Sequence, residues 1–255
     1  MIDITITATR RPDILRQTLA SFERYMFPGF QDYRLIINID PIGPSTEKET
    51  LAALKFFDLQ YLVMSLSPSS SFPQAFHRVW SAATAEWIFH LEDDWELLRP
   101  IDLADMLAIM SAESDLAILR LPVFPAGREA MKNWNLWFPW NGRYFECPAD
   151  KRIATGFCGH PSLIRGEFVR RTVQLLNPDR NPEKQFHDWR GNPTLIAEVQ
   201  RWRYGVWAKP SNSPAIRDLG RPWMVTNGYR KAGNKAHFTR WESDAIISPS
   251  YPSRP

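Results

Sequence analysis

The chain opens on an alternation. Ile2, Ile4, Ile6 and Ala8 are apolar and are separated by polar residues, a period of two that predicts a half-buried strand. It stops at Thr9-Arg10-Arg11-Pro12. Proline suits the first turn of a helix, and Ile14, Leu15, Thr18, Leu19, Phe22 and Met26 then recur at helical spacing. The same unit returns: residues 33–39 read as a strand ending at Asp40-Pro41, and Thr46-x-x-Glu49 is a capping-box signature ahead of Leu51, Leu54 and Phe57. Residues 60–65 predict a third strand, 67–71 a loop, 73–85 a helix and 87–91 a fourth strand. After Glu92-Asp93-Asp94-Trp95 a helix is predicted over 102–112 and a fifth strand over 116–121.

Strands that alternate with helices predict an α/β fold, a Rossmann-type and mostly parallel sheet with helices on both faces. From 122 to 150 the period vanishes into an irregular stretch rich in Pro and Trp, with Trp134, Trp137, Trp140 and Tyr144. Residues 153–162 form a short apolar run, 163–176 and 194–201 predict helices, and the chain beyond 209 looks irregular. The expected division lies between 121 and 122, with 1–121 and 122–255 packed on one sheet as a single domain. There is no internal repeat.

Composition narrows the class. With 255 residues, 44% hydrophobic and 23% charged, the chain has enough apolar content for a full core and is far from the signature of disorder. No run of eighteen apolar residues occurs, and no basic stretch followed by an apolar one opens the chain, so neither a membrane span nor a signal peptide is expected. The two cysteines, Cys147 and Cys158, are too few for a disulfide framework, and a cytoplasmic protein is expected. The net charge of +3 is uneven: residues 1–150 carry 13 Lys and Arg against 20 Asp and Glu, and residues 151–255 carry 18 against 8. A basic second half is either a solvated face or a field that collects a polyanion.

Several chemistries lack their motif. There is no G-x-G-x-x-G, no G-x-x-x-x-G-K-[ST] and no G-x-S-x-G, which removes the usual phosphate cradles and the serine nucleophile. A zinc site from Cys147, Cys158 and His160 would need a fourth ligand. What remains is the placement of acidic residues. In an open parallel sheet ligands bind beyond the carboxyl ends of the strands, where Thr9-Arg10, Asp40 and Glu92-Asp93-Asp94 fall. Paired carboxylates there suit Mg²⁺ or Mn²⁺ and a diphosphate, although an acidic triplet is also an ordinary solvated turn.

The order Thr7-x-x-Arg10-x-Pro12, then Asp40, then Ala83-x-x-Glu86-Trp87-Ile88-x-x-Leu91-Glu92-Asp93-Asp94 resembles the nucleotide-sugar glycosyltransferases of GT-A fold, over roughly residues 1–100. Thr155-Gly156-Phe157-x-Gly159-x-Pro161-Ser162-Leu163-Ile164 is similar to that family's acceptor-side segment. The resemblance implies a GT-A-like fold, with 1–121 as the donor-binding part and 122–255 as the acceptor-side part. It also implies a sugar moved from a nucleoside diphosphate sugar, a UDP-sugar first, to a hydroxyl acceptor with inversion. Thr7, Ala8, Thr9 and Arg10 would line the nucleoside pocket, Asp40 would contact base or ribose, Asp93 or Glu92 would lie near the ribose, and Asp94 would hold Mn²⁺ or Mg²⁺. Where many relatives carry an Arg-Asn pair on the helix before the acidic motif, this chain departs from the pattern with Phe76-His77, and the adjacent Arg78 is the donor-side candidate there.

For the general base the candidates are Glu183, favoured, and Asp188; Glu183 could instead cap its helix. The late stretch with Arg230, Lys231 and Lys235 could close over the diphosphate, and His237 follows a family habit as a further metal ligand. The acceptor is either a glycan or small glycoside, or a modified base in DNA, since basic and aromatic residues such as Trp189, Trp202 and Trp223 suit both. The alternatives are a sugar-nucleotide pyrophosphorylase, which would want a Gly-rich loop where Arg10-Arg11-Pro12 stands, and a non-catalytic nucleic-acid or polyanion-binding module.

Overall fold

A computed structural model describes residues 1–65, 71–123, 138–155, 157–187, 191–208, 214–232 and 240–243. The opening alternation becomes β1 (Ile2–Thr9), and Pro12 starts α1 (Pro12–Tyr25) with Arg11 at its N-cap. β2 (Tyr33–Asp40) follows, then α2 (Glu47–Leu54), whose capping box forms as read: the Thr46 hydroxyl accepts from the Glu49 amide, and the Glu49 carboxylate accepts from the Thr46 amide. β3 (Gln60–Val63), α3 (Phe72–Ala82), β4 (Trp87–Glu92), α4 (Leu103–Ala112) and β6 (Leu116–Arg120) match the remaining predicted units closely, with a short β5 (Trp95–Leu97) between β4 and α4.

Among the described residues the main sheet has eight strands in the order β3-β2-β1-β4-β8-β6-β9-β7, where β7 is Phe145–Glu146, β8 is Ser162–Arg165 and β9 is Arg203–Val206. β3, β2, β1 and β4 are parallel, as are β6 and β9, while β8 runs antiparallel between β4 and β6, and β7 is antiparallel at the edge. The expected mostly parallel α/β sheet is found.

The core lies on both faces. Ile2, Ile4 and Ile6 of β1 meet Leu15, Leu19 and Phe22 of α1 and Met106 and Ile109 of α4 on one side. On the other, Phe76, Val79 and Trp80 of α3 pack with Phe168 and Val169 of α6 (Gly166–Val173) and with Leu195 and Val199 of α8 (Pro193–Arg201). Each fully buried side chain of this size contributes roughly 1.5–3 kcal/mol. β1, expected to be half-buried, is instead buried from Ile2 to Ala8 because helices cover both faces of the sheet; on its polar face Thr5, with Trp80, hydrogen-bonds the ring of His90, which burial holds neutral, lowering its pKa to about 3.

Three further sequence expectations are corrected. The helix expected over 163–176 begins only at Gly166, because Ser162, Leu163 and Ile164 are fully buried in β8, whose two flanks are both paired. Trp95–Leu97 was not legible as a strand; it pairs antiparallel with β10 (Ile216–Asp218). The chain beyond 209, expected to be irregular, also forms α9 (Gly220–Thr226) and a ribbon of β11 (Tyr229–Ala232) with β12 (Arg240–Ser243). Trp134 and Trp137, in the irregular stretch, lie outside the described residues.

Candidate functional site

Parallel register brings the carboxyl ends together. Thr9 of β1 lies opposite Asp40 of β2, and Thr7 lies opposite Glu92 of β4, so three strand ends open at one level. Beyond them is a cleft of about 480 Å³, within the range of small-molecule sites, lined by Thr7, Ala8, Thr9, Arg11, Asp40, Glu92, Asp93, Asp94 and Glu183 among others. Asp40 and Asp94 share this hollow.

The acidic run is held by α1. The Thr9 amide donates to Asp93 Oδ2 at 2.9 Å and the Thr9 hydroxyl donates at 3.2 Å, while Arg11 Nη2 donates to Asp93 Oδ1 at 2.7 Å and to Asp94 Oδ2 at 3.1 Å. Arg11 Nε bonds Thr9 Oγ1 at 2.6 Å, and the Thr18 hydroxyl of α1 donates to the Asp93 carbonyl at 2.6 Å. The side chains of Arg11 and Asp93 are 2% and 3% exposed, so this is a buried ion pair whose members depend on each other. Burial works against the Arg11 charge, but Asp93 and Asp94 more than offset it and hold the guanidinium above its ordinary range. Burial pushes the Asp93 carboxyl up, and Arg11 and the Thr9 amide oppose it.

The wall at the end of β2 carries a relay. Arg78 Nε donates to Asn38 Oδ1 at 2.9 Å, and Asn38 Nδ2 donates to Asp40 Oδ1 at 2.9 Å. Burial raises Asp40 to about 6, although Asn38 and Arg78 pull it down. Arg78 itself does not line the cleft; it reaches Asp40 at one remove. Arg10 does not line it either. Its amide bonds the Ile42 carbonyl at 2.6 Å, and the turn that follows sends Arg11, not Arg10, under the acidic run. Arg230 is exposed on β11 and does not belong to the cleft wall, and the side chain of Lys231 lies outside the described residues. Asp188, Lys235 and His237 lie outside the described residues.

Opposite stands the segment that carries Gly159 and Glu183. Glu183, in the first turn of α7 (Pro182–His187), does not cap its own helix; Asn181 Oδ1 does, accepting from the Lys184 amide at 3.1 Å. Glu183 Oε1 instead accepts from the Gly159 amide at 2.7 Å. Gly159 is tightly hemmed: a Cβ there would come 2.8 Å from Glu92 Oε1 and 3.4 Å from Glu183 Oε1, so two carboxylates face each other across it. His160 and Trp95 add an aromatic corner, with ring centroids 5.1 Å apart.

The tail closes the remaining side. The Leu219 amide donates to the Asp94 carbonyl at 2.8 Å, and Trp223 of α9 covers the Arg11 guanidinium at 5.2 Å. Asp218, Gly220, Arg221 and Met224 complete the wall. Sequence reasoning missed this contribution and missed Arg11; the one available signal was that a buried acidic pair needs a cation nearby.

No three His, Cys, Asp or Glu side chains come together as a metal site among the described residues, which leaves the zinc alternative at Cys147, Cys158 and His160 without its ligand set. The residues do fit a cation that arrives with its own oxygens. Asp94 is 18% exposed, lines the cleft, and keeps Oδ1 without a hydrogen bond among the described residues; Mg²⁺ and similar ions are commonly held by one or two carboxylates plus substrate phosphates. No helix among the described residues is long and apolar enough to cross a membrane.

No family model matches this sequence, and neither does any curated protein sequence. Solved structures do match in shape. TarS from S. aureus, residues 1–349, superposes with a TM-score of 0.56 at 11% identity over 86% of this chain and 60% of that one, and its complex with UDP gives 0.55 at 13% over 85% and 60%. The mannosyltransferase PcManGT from Pyrobaculum calidifontis, in complex with GDP-Man and Mn²⁺, gives 0.56 at 13% identity over 89% of this chain and 59% of that one. The chain thus spans about six-tenths of the length of these proteins. At such identities the likeness is one of fold, and the fold of this chain is the GT-A-like fold of nucleotide-sugar glycosyltransferases.

Proposed function

We propose that this protein transfers a sugar from a nucleoside diphosphate sugar, a UDP-sugar first, to a hydroxyl group of a glycan or small glycoside, inverting the anomeric centre. The observation that carries this reading is the single cleft in which strand ends Thr7 to Thr9, Asp40 and Glu92 to Asp94 confront Glu183. The matched structures add support, since one is a complex with UDP and another a complex with GDP-Man and Mn²⁺.

In this reading Thr7, Ala8 and Thr9 wall the nucleoside, and Asp40, steadied by Asn38 and Arg78, accepts a hydrogen bond from the base or ribose. Asp93 acts through structure: its carboxylate bonds go to Thr9 and Arg11, which fixes the loop that carries Asp94. Mn²⁺ or Mg²⁺, held by Asp94 with the donor's phosphate oxygens, would neutralise charge on the departing diphosphate. Glu183, anchored through Oε1 by the Gly159 amide, takes the acceptor hydroxyl proton; the acceptor oxygen bonds the anomeric carbon as the bond to the diphosphate breaks.

The cleft also favours a glycan over DNA as acceptor. Among the described residues its walls carry Asp40, Glu92, Asp93, Asp94, Glu183 and Asp218 against Arg11 and Arg221, an acidic surround that repels a phosphate backbone at the point of transfer. The test is nucleotide release from a panel of UDP- and GDP-sugars with Mn²⁺, followed by mass spectrometry of candidate acceptors. Added sugar mass on a glycoside supports the reading. Added mass on DNA alone overturns the acceptor, and no release from any donor overturns the activity.

A further inference from the structure

Arg11 occupies the place where a cation is needed. Two successive carboxylates, Asp93 and Asp94, converge on its Nη2 at 2.7 and 3.1 Å, and both oxygens of Asp93 are already engaged, one by Arg11 and the other by the amide and hydroxyl of Thr9. Nor is the guanidinium free to swing away. It is 2% exposed, tied through Nε to Thr9 Oγ1, and covered by the Trp223 ring. Gly220 crowds the same oxygen that Arg11 holds: a Cβ there would stand 2.1 Å from Asp94 Oδ2.

We propose that Arg11 is the resident counter-cation of the acidic run and competes with a divalent metal for Asp94, so that the metal binds only in company with a diphosphate. This rests on the reading of Asp94 as the metal-facing carboxylate given above. The argument is electrostatic. A divalent ion at Asp94 must sit beside a fixed positive charge whose retreat is blocked, and like charges in a partly buried site repel strongly. A nucleoside diphosphate brings enough negative charge to reverse that balance. Neutralising Arg11 has the opposite consequence, because it leaves Asp93 and Asp94 as an uncompensated pair that an added cation stabilises.

The experiment titrates Mn²⁺ into the full-length chain and follows the free aquo-ion by electron paramagnetic resonance, without nucleotide and with saturating UDP or GDP. Wild-type protein is expected to bind Mn²⁺ negligibly alone. Arg11→Gln and Arg11→Met are expected to bind it without nucleotide at least about tenfold more tightly than wild type, and Arg11→Lys, which keeps the charge, is expected to resemble wild type. Tight nucleotide-free binding by wild-type protein that Asp94→Asn abolishes would overturn the proposal, and this arm needs no Arg11 variant to fold. Folded Arg11→Gln protein with no gain in Mn²⁺ affinity would overturn it too. If the Arg11 variants gain Mn²⁺ affinity while neither nucleotide promotes binding to wild type, the competition stands and the donor reading fails.

Discussion

Gly220 packs directly against the Asp94 carboxylate: a Cβ at position 220 would stand 2.1 Å from Oδ2 and 2.8 Å from Cγ. The approach couples the tail of the chain to the acidic run, and it sets a steric limit. Gly220→Ala is expected to push Asp94 out of line and to lower nucleotide–metal affinity by roughly tenfold or more, about 1.4 kcal/mol. Isothermal titration with UDP and Mn²⁺ reads this directly. Unchanged affinity in a folded Gly220→Ala protein would mean that Asp94 does not face the donor.

Glu183 is assigned the proton of the acceptor hydroxyl. Its amide counterpart can still accept from the Gly159 N–H, so Glu183→Gln should fold and bind donor normally. Turnover should fall by roughly 10²–10⁴, the usual contribution of a positioned general base. Initial rates of nucleotide release at saturating donor measure it, and a turnover near wild type would move the role elsewhere.

Asp40 makes stability depend on pH in an unusual direction. Its carboxyl is raised by burial from 3.8 to about 6, so between those values the folded state holds a proton that the unfolded chain has lost. The folded state is therefore penalised as pH rises through that window, by an amount on the order of 3 kcal/mol in full, and the penalty is constant above it. Asp40→Asn removes the titration. Urea unfolding from pH 4 to pH 7 should show wild type losing stability relative to Asp40→Asn as the pH rises; parallel curves would count against a protonated Asp40.

At the opposite end of β1, Asp3 is 1% exposed and gathers Arg34 with the amides of Thr84 and Ala85 at 2.7 to 2.9 Å. Asp3→Ala leaves both amides without this acceptor and should cost roughly 3 kcal/mol. Because the cleft lies beyond the other end of the strand, the folded variant should bind nucleotide as wild type does. Chemical denaturation alongside nucleotide titration separates the two effects.

The legible parts of the sequence were those with a period. The alternation of β1, the Pro12 helix start and the Thr46–Glu49 capping box depend on neighbours in the chain, and they appear where the sequence puts them. β8 was not legible, because a strand with both flanks paired and nearly all positions buried shows an apolar run that a helix could equally bury. The site was half legible. Strand-end carboxylates could be placed from topology alone, and Asp40, Glu92, Asp93 and Asp94 do converge on one cleft. Arg11 could not be told from Arg10, since the choice is made by a turn that hydrogen-bonds Arg10 to Ile42 and by a partner 82 residues away. The contribution of α9 depends on a return of the chain that no local pattern records.

The measurement closest to the central claim is the melting temperature of the chain with UDP, GDP and their sugars, each with and without Mn²⁺. A ligand at about a hundred times its dissociation constant stabilises the native state by about 2.7 kcal/mol, which for a chain of this length raises the midpoint by roughly 5–10 °C. The account predicts such a rise with at least one nucleoside diphosphate plus Mn²⁺, little with either alone, and loss of the metal-dependent part in Asp94→Asn. A midpoint indifferent to every nucleotide and metal, yet raised by DNA, would contradict it.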